Sequence, residues 1–460
     1  MLPSGPPFRA YPDPMTAAPS LTAQLVALLA RPITPADRDR ATLHVLDWLG
    51  CALLGAKAAP GVAMQAYGRT LAAGGSHAIG TGRLQPESAA LVNGSFGNVL
   101  EMDDIHRTSI LHPGPVVIPA ALAHGEAHGA TAADFLDALI RGYEVVIRIG
   151  SSVGLGHYKY FHNTATCGPF GAAAAVGSLL RLTPAQMVHA LGNAGTVTGG
   201  LWQVRLENAM SKQFHTGHAA RAGLVAADMA KHGFTGPAQI LEGPLGMYAA
   251  MCRDAKPAEI TADPAGPWKV YDTSFKPWAA CRHSHATIDA ALLLRDKVKP
   301  AEVKSVTVNT YGDAKSFCDR PDPKTVVDAK FSLQHAVAVV LQDGPPVLES
   351  FELPAIVRPD LAAFRPKVTV AVTDRFNHAY PQHYGAGLMA ETLDGRKIEV
   401  SVSDALGDPG NPVDDARVIA KARQLMEAAG LPAARIDSIV QKTRALADGG
   451  TLAALTALLP

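Results

Sequence analysis

The stretch Asn93–Pro115, NGSFGNVLEMDDIHRTSILHPGP, packs carboxylates, imidazoles, hydroxyls and a fixed cation into a short span. Glu101, Asp103, Asp104, His106, Arg107, Thr108, Ser109 and His112 include groups able to take and return protons near neutral pH. Apolar sequence flanks them on both sides, where a plain connection would draw on Gly, Ser and Asn instead. The spacing suits one wall of a pocket better than a solvated turn between helices. A second group lies at Ser274–His285, SFKPWAACRHSH, with Lys276, Cys281, Arg282, His283 and His285 and no acidic neighbour. Its bland reading is a basic connector in water. Its chemical reading is a receptor for carboxylates, because Arg grips them through paired hydrogen bonds and Lys as a point charge. Two smaller sets are His157, Lys159, Tyr160 and His162, and Lys212, His215 and His218. Each says little alone, since a single His is more often a satisfied core or surface residue.

Cofactors find no support in these patterns. Asp103, Asp104 and His106, or His283 and His285, are partial ligand sets for a divalent ion, and neither completes a familiar spacing, so no metal is expected. The cysteines, Cys51, Cys167, Cys252, Cys281 and Cys318, are odd in number and form no C-x-x-C pair. That argues against a disulfide scaffold, a structural zinc site and an iron–sulfur cluster, and fits a reducing cytoplasm. There is no G-x-G-x-x-G, no P-loop and no G-x-S-x-G elbow, so neither nucleotide cofactors nor serine-hydrolase chemistry is indicated.

The elements that must position these groups follow from composition and periodicity. A chain of 460 residues, 48% hydrophobic and 18% charged, exceeds one core and predicts two domains. Lys+Arg at 41 against Asp+Glu at 41 leaves no global field to recruit nucleic acid or an anionic membrane. Low charge also fits a homo-oligomer, whose interface removes surface from water. The Pro-rich start, residues 1–20, lacks the apolar core of a signal peptide and reads as a flexible leader. Apolar runs such as Val116–Ala123 are too short to span a bilayer, so a soluble protein is expected.

Leu21–Ala56 reads as two amphipathic helices, the second capped by Thr34 with Pro35 in its first turn. Alanine-rich helices are expected at Val62–Ala72 and Glu87–Leu100, a buried one at Pro115–Gly129 and an amphipathic one at Ala133–Gly150, with no strand before that point. His157–Phe170 reads as a loop presenting His157, Lys159, Tyr160 and His162. Lys212, His215 and His218 open an Ala-rich helix whose N-terminus adds partial positive charge. After Trp268 the pattern changes. KSVTVNTY from Lys304, KVTVAV from Lys367 and KIEVSV from Lys397 alternate as strands, Met389–Val402 reads as a hairpin arm, and helices are expected at His285–Lys297 and Lys330–Leu341. Helical patterning returns from Val413. The expected organisation is mostly α: a helical domain over residues 21–268 completed by 405–460, and a smaller α+β unit over 269–404.

Taken together, several motifs resemble one family. They are N-G-x-x-x-N-x-L-E-M-D-D from Asn93, H-P-G-P-V-V-I-P-A from His112, G-Y-E-V from Gly142, F-H-x-T-A-x-x-G from Phe161, the segment from Lys212 to Gly223, and K-P-W-A-A-C-R-H-S-H from Lys276. Their order is similar to the MmgE/PrpD family from about Leu21 to Ala445. That resemblance implies a large all-helical domain with an α+β lid domain, a homodimer, and action on small polycarboxylates without metal or organic cofactor. Known members are 2-methylcitrate dehydratases, cis-aconitate decarboxylases and an iminodisuccinate epimerase. The resemblance carries catalytic roles to Asp103, Asp104, His112, His162, Lys212 and Lys276. His106, Arg107, Tyr160, Arg282, His283 and His285 remain as substrate-binding candidates from their chemistry. The chain departs from the decarboxylases at Cys281, where they place a histidine, and at His106-Arg107, where they and the dehydratases carry Thr-Trp-His. The function implied is a lyase of a di- or tricarboxylic acid, with epimerisation or simple carboxylate binding as rivals.

Overall fold

Residues 19–207 and 209–460 are described in a computed structural model; the leader expected over the first twenty residues lies almost wholly outside them. The chain is mostly α-helical. Helix Pro35–Gly55 starts at the expected cap: Asp37 N–H donates to Thr34 Oγ1 at 3.3 Å, and Thr34 N–H donates to the Asp37 carboxylate at 2.7 Å. This reciprocal pairing satisfies donors that a helix start otherwise leaves open, and Pro35 needs none. Helices Pro86–Gly94, Gly114–Ala127, Ala132–Ser152, Asn163–Leu179 and Ser211–Lys231 pack against one another around Val116, Val117, Phe135, Leu139, Ile147 and Phe170, all buried. Each such side chain contributes about 1.5–3 kcal/mol when fully removed from water. Small residues let these backbones meet. A Cβ at Gly217 would fall 2.2 Å from Ser95 Oγ, and one at Gly223 would fall 2.3 Å from Pro169 O.

Three expectations are corrected in this region. Strands do occur before Gly150: Ala73–Ala78 pairs antiparallel with Gly82–Leu84, turning through Gly80 and Gly82, both at positive φ. AGGSHA lacks the β-branched residues by which strands are recognised, so its extended state is set by the turn glycines and its partner strand. The helix expected to reach Leu100 stops at Gly94, and turns follow. The expected loop at His157–Phe170 is largely helical. His157 closes the short helix Gly154–Tyr158 and is buried, with Nε2 2.8 Å from Thr166 Oγ1, and His162 is the cap of Asn163–Leu179.

The second region forms as the alternating pattern requires. A four-stranded sheet runs in the order Val368–Val372, Val303–Thr310, Ala386–Thr392, Lys397–Val402, with the first pair parallel and the others antiparallel. Helices Arg282–Arg295 and Leu333–Asp343 pack on each other, the former also against the strands Ala386–Thr392 and Lys397–Val402. The core there holds Ile288, Val306, Val337 and Leu388, and is continuous with Cys51, Leu100, Met102, Trp202 and Leu425 of the helical part. Helices Asp415–Ala428 and Ala433–Arg444 return to pack on Pro35–Gly55, where the buried Lys421 ammonium donates to Asp47 at 2.6 Å. A short bridge, Ile105–His106 with Thr273–Ser274, ties the acidic motif to the segment carrying Lys276. Among the described residues no single helix is long and apolar enough to cross a membrane.

Candidate active site

The turns after Gly94 deliver Glu101 in a left-handed conformation, φ 58°, which costs a residue with a Cβ about 1–2 kcal/mol. Its carboxylate holds that position by charge. One oxygen takes the Lys212 ammonium from the first turn of Ser211–Lys231, and the other lies 3.6 Å from Lys276 Nζ. A third ammonium, the buried Lys330, donates to Leu100 O at 3.4 Å beside them. Lys276 is 0% exposed, and no described residue gives its Nζ a hydrogen-bond partner. Burial pushes Lys276 and Lys330 below the usual lysine value, and attraction to Glu101 offsets this only in part. Lys212 goes the other way: burial lowers it, but Glu101 raises it further. Burial likewise pushes Glu101 up, and Lys212 and Lys276 more than reverse that.

Facing these cations is an oriented imidazole. His112 Nδ1 lies 2.9 Å from Asp103 Oδ2 and 2.9 Å from Asp104 O, two acceptors that place a ring proton on Nδ1 and leave Nε2 without a partner among the described residues. Both Asp103 oxygens accept from Asn98 Nδ2 at 2.8 Å, which fixes the carboxylate behind the ring. Burial pushes Asp103 up, but His112 and then the lysines bring it down to about 2, so it stays charged at any working pH. His162 caps its helix with Nδ1 3.3 Å from His215 Nδ1 and its ring 4.5 Å from Trp202. Burial and the charges of Lys212, His215 and His112 keep it well below the usual histidine value, hence neutral. Burial and the same Lys212 take His215 to about 4.

The fold thus gathers Asp103, His112, His162, Lys212 and Lys276 around Glu101, and gives the other candidates different work. The Asp104 carboxylate, expected to be catalytic, is fully engaged inside the fold. It accepts from His44 Nδ1 at 2.8 Å, Tyr143 OH at 2.7 Å and Gly114 N–H at 2.9 Å, and only its carbonyl reaches His112. Arg282 pairs with Asp408 and shares Nη1 with His285 Nδ1 at 3.2 Å, and Arg107 pairs with Asp404 at 2.9 Å. Neither guanidinium is an open clamp, because a cation in the interior must be matched there. His285 Nε2 bonds Ala280 O at 3.0 Å, and burial holds the ring far below the usual value. His283 Nδ1 meets Tyr311 OH at 2.9 Å, and burial and Arg282 take it to about 3. His106 Nδ1 meets Ser109 Oγ at 2.8 Å; burial takes it to about 3, and its charged neighbours are Asp272, Lys269 and Arg107. Tyr160 is exposed between Lys159 and Arg253.

Sequence reasoning counted Glu101 among the ionisable groups of the acidic stretch but not among the site residues, and missed Asn98, Lys330 and Trp202. Nothing local marks their meeting: Glu101 pairs with a lysine 111 residues away, and Lys330 reads only as the start of a helix. A pocket of about 350 Å³ has Lys276, Lys421 and Arg417 in its wall with Phe275, Trp278 and Leu406. A larger open depression, about 630 Å³, is lined by Glu87, Asp228, His232 and Phe234 and contains none of the clustered groups. Among the described residues no three His, Cys, Asp or Glu side chains converge as metal ligands.

The family model described as the MmgE/PrpD N-terminal domain matches residues 21–260, and that of the MmgE/PrpD C-terminal domain matches residues 278–445. The chain belongs to the MmgE/PrpD family. It is similar to the cis-aconitate decarboxylase-like protein oryM of Aspergillus oryzae, 27% identical over 456 residues, covering 92% of this chain and 93% of the relative. The cis-aconitate decarboxylase of Aspergillus terreus is 28% identical over 426 residues, 86% of each chain. The human cis-aconitate decarboxylase is 28% identical over 308 residues, 62% of this chain and 61% of its own length. In this MmgE/PrpD chain, two buried ammonium groups and the half-buried Lys212 face two carboxylates beside an imidazole whose Nε2 has no partner among the described residues, an arrangement that suits an anion bearing a transferable proton.

Proposed function

We propose that this protein is a cofactor-independent lyase of a small tricarboxylic or dicarboxylic acid, acting by decarboxylation or dehydration next to a carboxylate. The observation that carries the reading is Lys276: a wholly buried ammonium without a hydrogen-bond partner is costly unless a ligand completes it. Substrate carboxylates bind Lys276 and Lys212, with Lys330 adding positive potential. When the bond next to a carboxylate breaks, the electron pair left on carbon is stabilised by these cations, which need no rearrangement to receive it. His112 Nε2 moves a proton at the reacting carbon, while Asp103 and the Asp104 carbonyl keep the ring in the required tautomer. His162, neutral beside Lys212, lines the same site. The relatives named as cis-aconitate decarboxylases make cis-aconitate the first substrate to try, with 2-methylcitrate next.

The test uses purified, EDTA-treated protein with cis-aconitate, 2-methylcitrate, citrate and iminodisuccinate in heavy water. Carbon dioxide release or a change in ultraviolet absorbance supports a lyase. Exchange of an α-proton without net elimination assigns an epimerase, and binding with neither assigns a carboxylate receptor. Turnover lost with EDTA and restored by a divalent ion overturns the cofactor-independent part. The same reading includes a homodimer, for which exposed Leu206, Met210 and Phe214 beside the site helix are support, and light scattering is the check.

A further inference from the structure

The reaction outlined above makes no use of the pocket of about 350 Å³ that has Lys276 in its wall. Glu101, His112, His162 and Lys212 do not line it, so it is a space next to the clustered groups rather than the same one. One side is the helix Asp415–Ala428, which presents Arg417, Lys421 and Gln424 at i, i+4 and i+7, the spacing of a single helical face. The other side is apolar, with Phe275, Pro277, Trp278 and Leu406, and no described carboxylate lines the pocket. Among the described residues none pairs with the Arg417 guanidinium either: Asp414 accepts from the Arg417 backbone N–H at 2.8 Å, and Asp415 faces Arg444 at 3.6 Å. Lys421 is matched by Asp47, whereas the wholly buried Lys276 Nζ has no hydrogen-bond partner among the described residues. The walls are set before any ligand arrives. Asp289 accepts from Trp278 Nε1 at 2.9 Å and from Leu406 N–H at 2.7 Å. Phe275 is fixed by His44, 4.5 Å between ring centroids, and by the Arg40 guanidinium, 4.7 Å from its ring.

We infer that this pocket is a second ligand site, for a monocarboxylate with an apolar aliphatic or aromatic body. The carboxylate binds the Arg417 guanidinium through paired hydrogen bonds, in the positive potential of Lys276 and Lys421, and the Gln424 amide adds a donor. The body lies on Phe275 and the half-buried Trp278 and Leu406, and removes their remaining surface from water. A di- or tricarboxylate suits the pocket less, because its further charges would be set against the apolar side with no donor to meet them. That separates this ligand from the polycarboxylates assigned to the cluster around Glu101. Lys276 couples the two sites. An anion held in the pocket attracts the ammonium that the lyase reading gives to the substrate carboxylate, so occupancy slows turnover. This coupling rests on the lyase reading; the binding does not.

Calorimetry on wild type, Arg417→Ala and Ala420→Glu measures Kd for three probes: 3-phenylpropanoate, the neutral 3-phenylpropan-1-ol, and propane-1,2,3-tricarboxylate, which has no double bond or hydroxyl to react. Both substituted positions are exposed on their helix and outside the catalytic cluster, and Ala420→Glu sets a carboxylate on the pocket wall three residues from Arg417. The expected result is that 3-phenylpropanoate binds wild type, that the alcohol binds about tenfold more weakly or worse, and that each substitution weakens 3-phenylpropanoate by about tenfold or more. The Kd of both variants for the tricarboxylate stays within about threefold of wild type, which also shows that they are folded. The tricarboxylate raises the wild-type Kd for 3-phenylpropanoate to a plateau, as coupling between two sites does. On whichever tricarboxylate the wild type turns over, 3-phenylpropanoate lowers the rate, while Arg417→Ala keeps wild-type kcat and is insensitive to it. No binding of 3-phenylpropanoate at millimolar concentration, or equal binding of the alcohol, overturns the carboxylate site. So does an unchanged Kd in both variants, or competition by the tricarboxylate that rises without a plateau. Full turnover with 3-phenylpropanoate bound overturns the coupling through Lys276. A wild type that turns over none of the tricarboxylates overturns the lyase reading, and the calorimetry then decides the site by itself.

Discussion

Replacing Lys276 with methionine separates what is good for the fold from what is good for the site. Nζ lies 3.6 Å from Glu101 Oε2, beyond a hydrogen bond, and the side chain is fully buried. A buried polar group left unmatched costs about 1–3 kcal/mol, and more when charged. Methionine is close in length, carries no charge, and leaves Glu101 paired with Lys212. Lys276→Met is therefore expected to stabilise the ligand-free protein by about 1–3 kcal/mol at pH 7, seen as a higher urea midpoint and a rise in Tm. Binding moves the opposite way. A charged hydrogen bond is worth about 1.5–3 kcal/mol, so Kd for propane-1,2,3-tricarboxylate rises about ten- to 150-fold. The pH dependence supplies an internal check. Burial holds folded Lys276 below its ordinary value of 10.5, so between these two values the unfolded chain binds more protons and wild-type stability rises with pH. The variant lacks this gain, and its advantage shrinks as pH approaches 10.5. A loss of stability at pH 7 with unchanged tricarboxylate affinity would refute the reasoning, because the ammonium would then be a structural partner of Glu101.

Other substitutions test the supports of the site. Asp103→Asn removes the charge that fixes His112 Nδ1–H, and kcat is expected to fall about a hundred- to ten-thousand-fold while KM changes little. Because folded Asp103 titrates at about 2, below the ordinary 3.8, its stabilisation is present above 3.8 and fades as pH falls toward 2. Acid denaturation of Asp103→Asn, followed by circular dichroism, is expected to lack that contribution. Asp47→Ala strands the buried Lys421 ammonium and is expected to cost about 3–5 kcal/mol in urea denaturation, since Met102 O alone remains to it. Gly217→Ala puts a methyl group 2.2 Å from Ser95 Oγ and 2.3 Å from Leu91 O, so the helix carrying Lys212 must shift. It is expected to lose both thermal stability and turnover, measured by calorimetry and the lyase assay.

Local signals in the sequence determined much of the scaffold. Thr34, Pro35 and Asp37 define a helix start by themselves, because capping is a matter of neighbours along the chain. The alternation of Val306, Val308 and Thr310 is enough for a strand with one face buried, and Asp394-Gly395 for the turn that joins Ala386–Thr392 to its antiparallel neighbour Lys397–Val402. His112, His162, Lys212 and Lys276 were legible as chemistry because imidazoles and ammonium groups between apolar segments are uncommon in plain connections. Where periodicity was absent, reading failed: AGGSHA became a strand, and the polar run from His157 became helix. The tertiary structure alone decided which charged groups meet. It placed Glu101 between lysines far along the chain, brought Lys330 to them, and turned the Asp104 carboxylate toward His44 and Tyr143 rather than a ligand. Arg107 and Arg282 were matched with Asp404 and Asp408 for the same reason. A charge in the interior is settled by whichever partner the packing brings within reach, and that distance is set by the fold rather than by spacing along the chain.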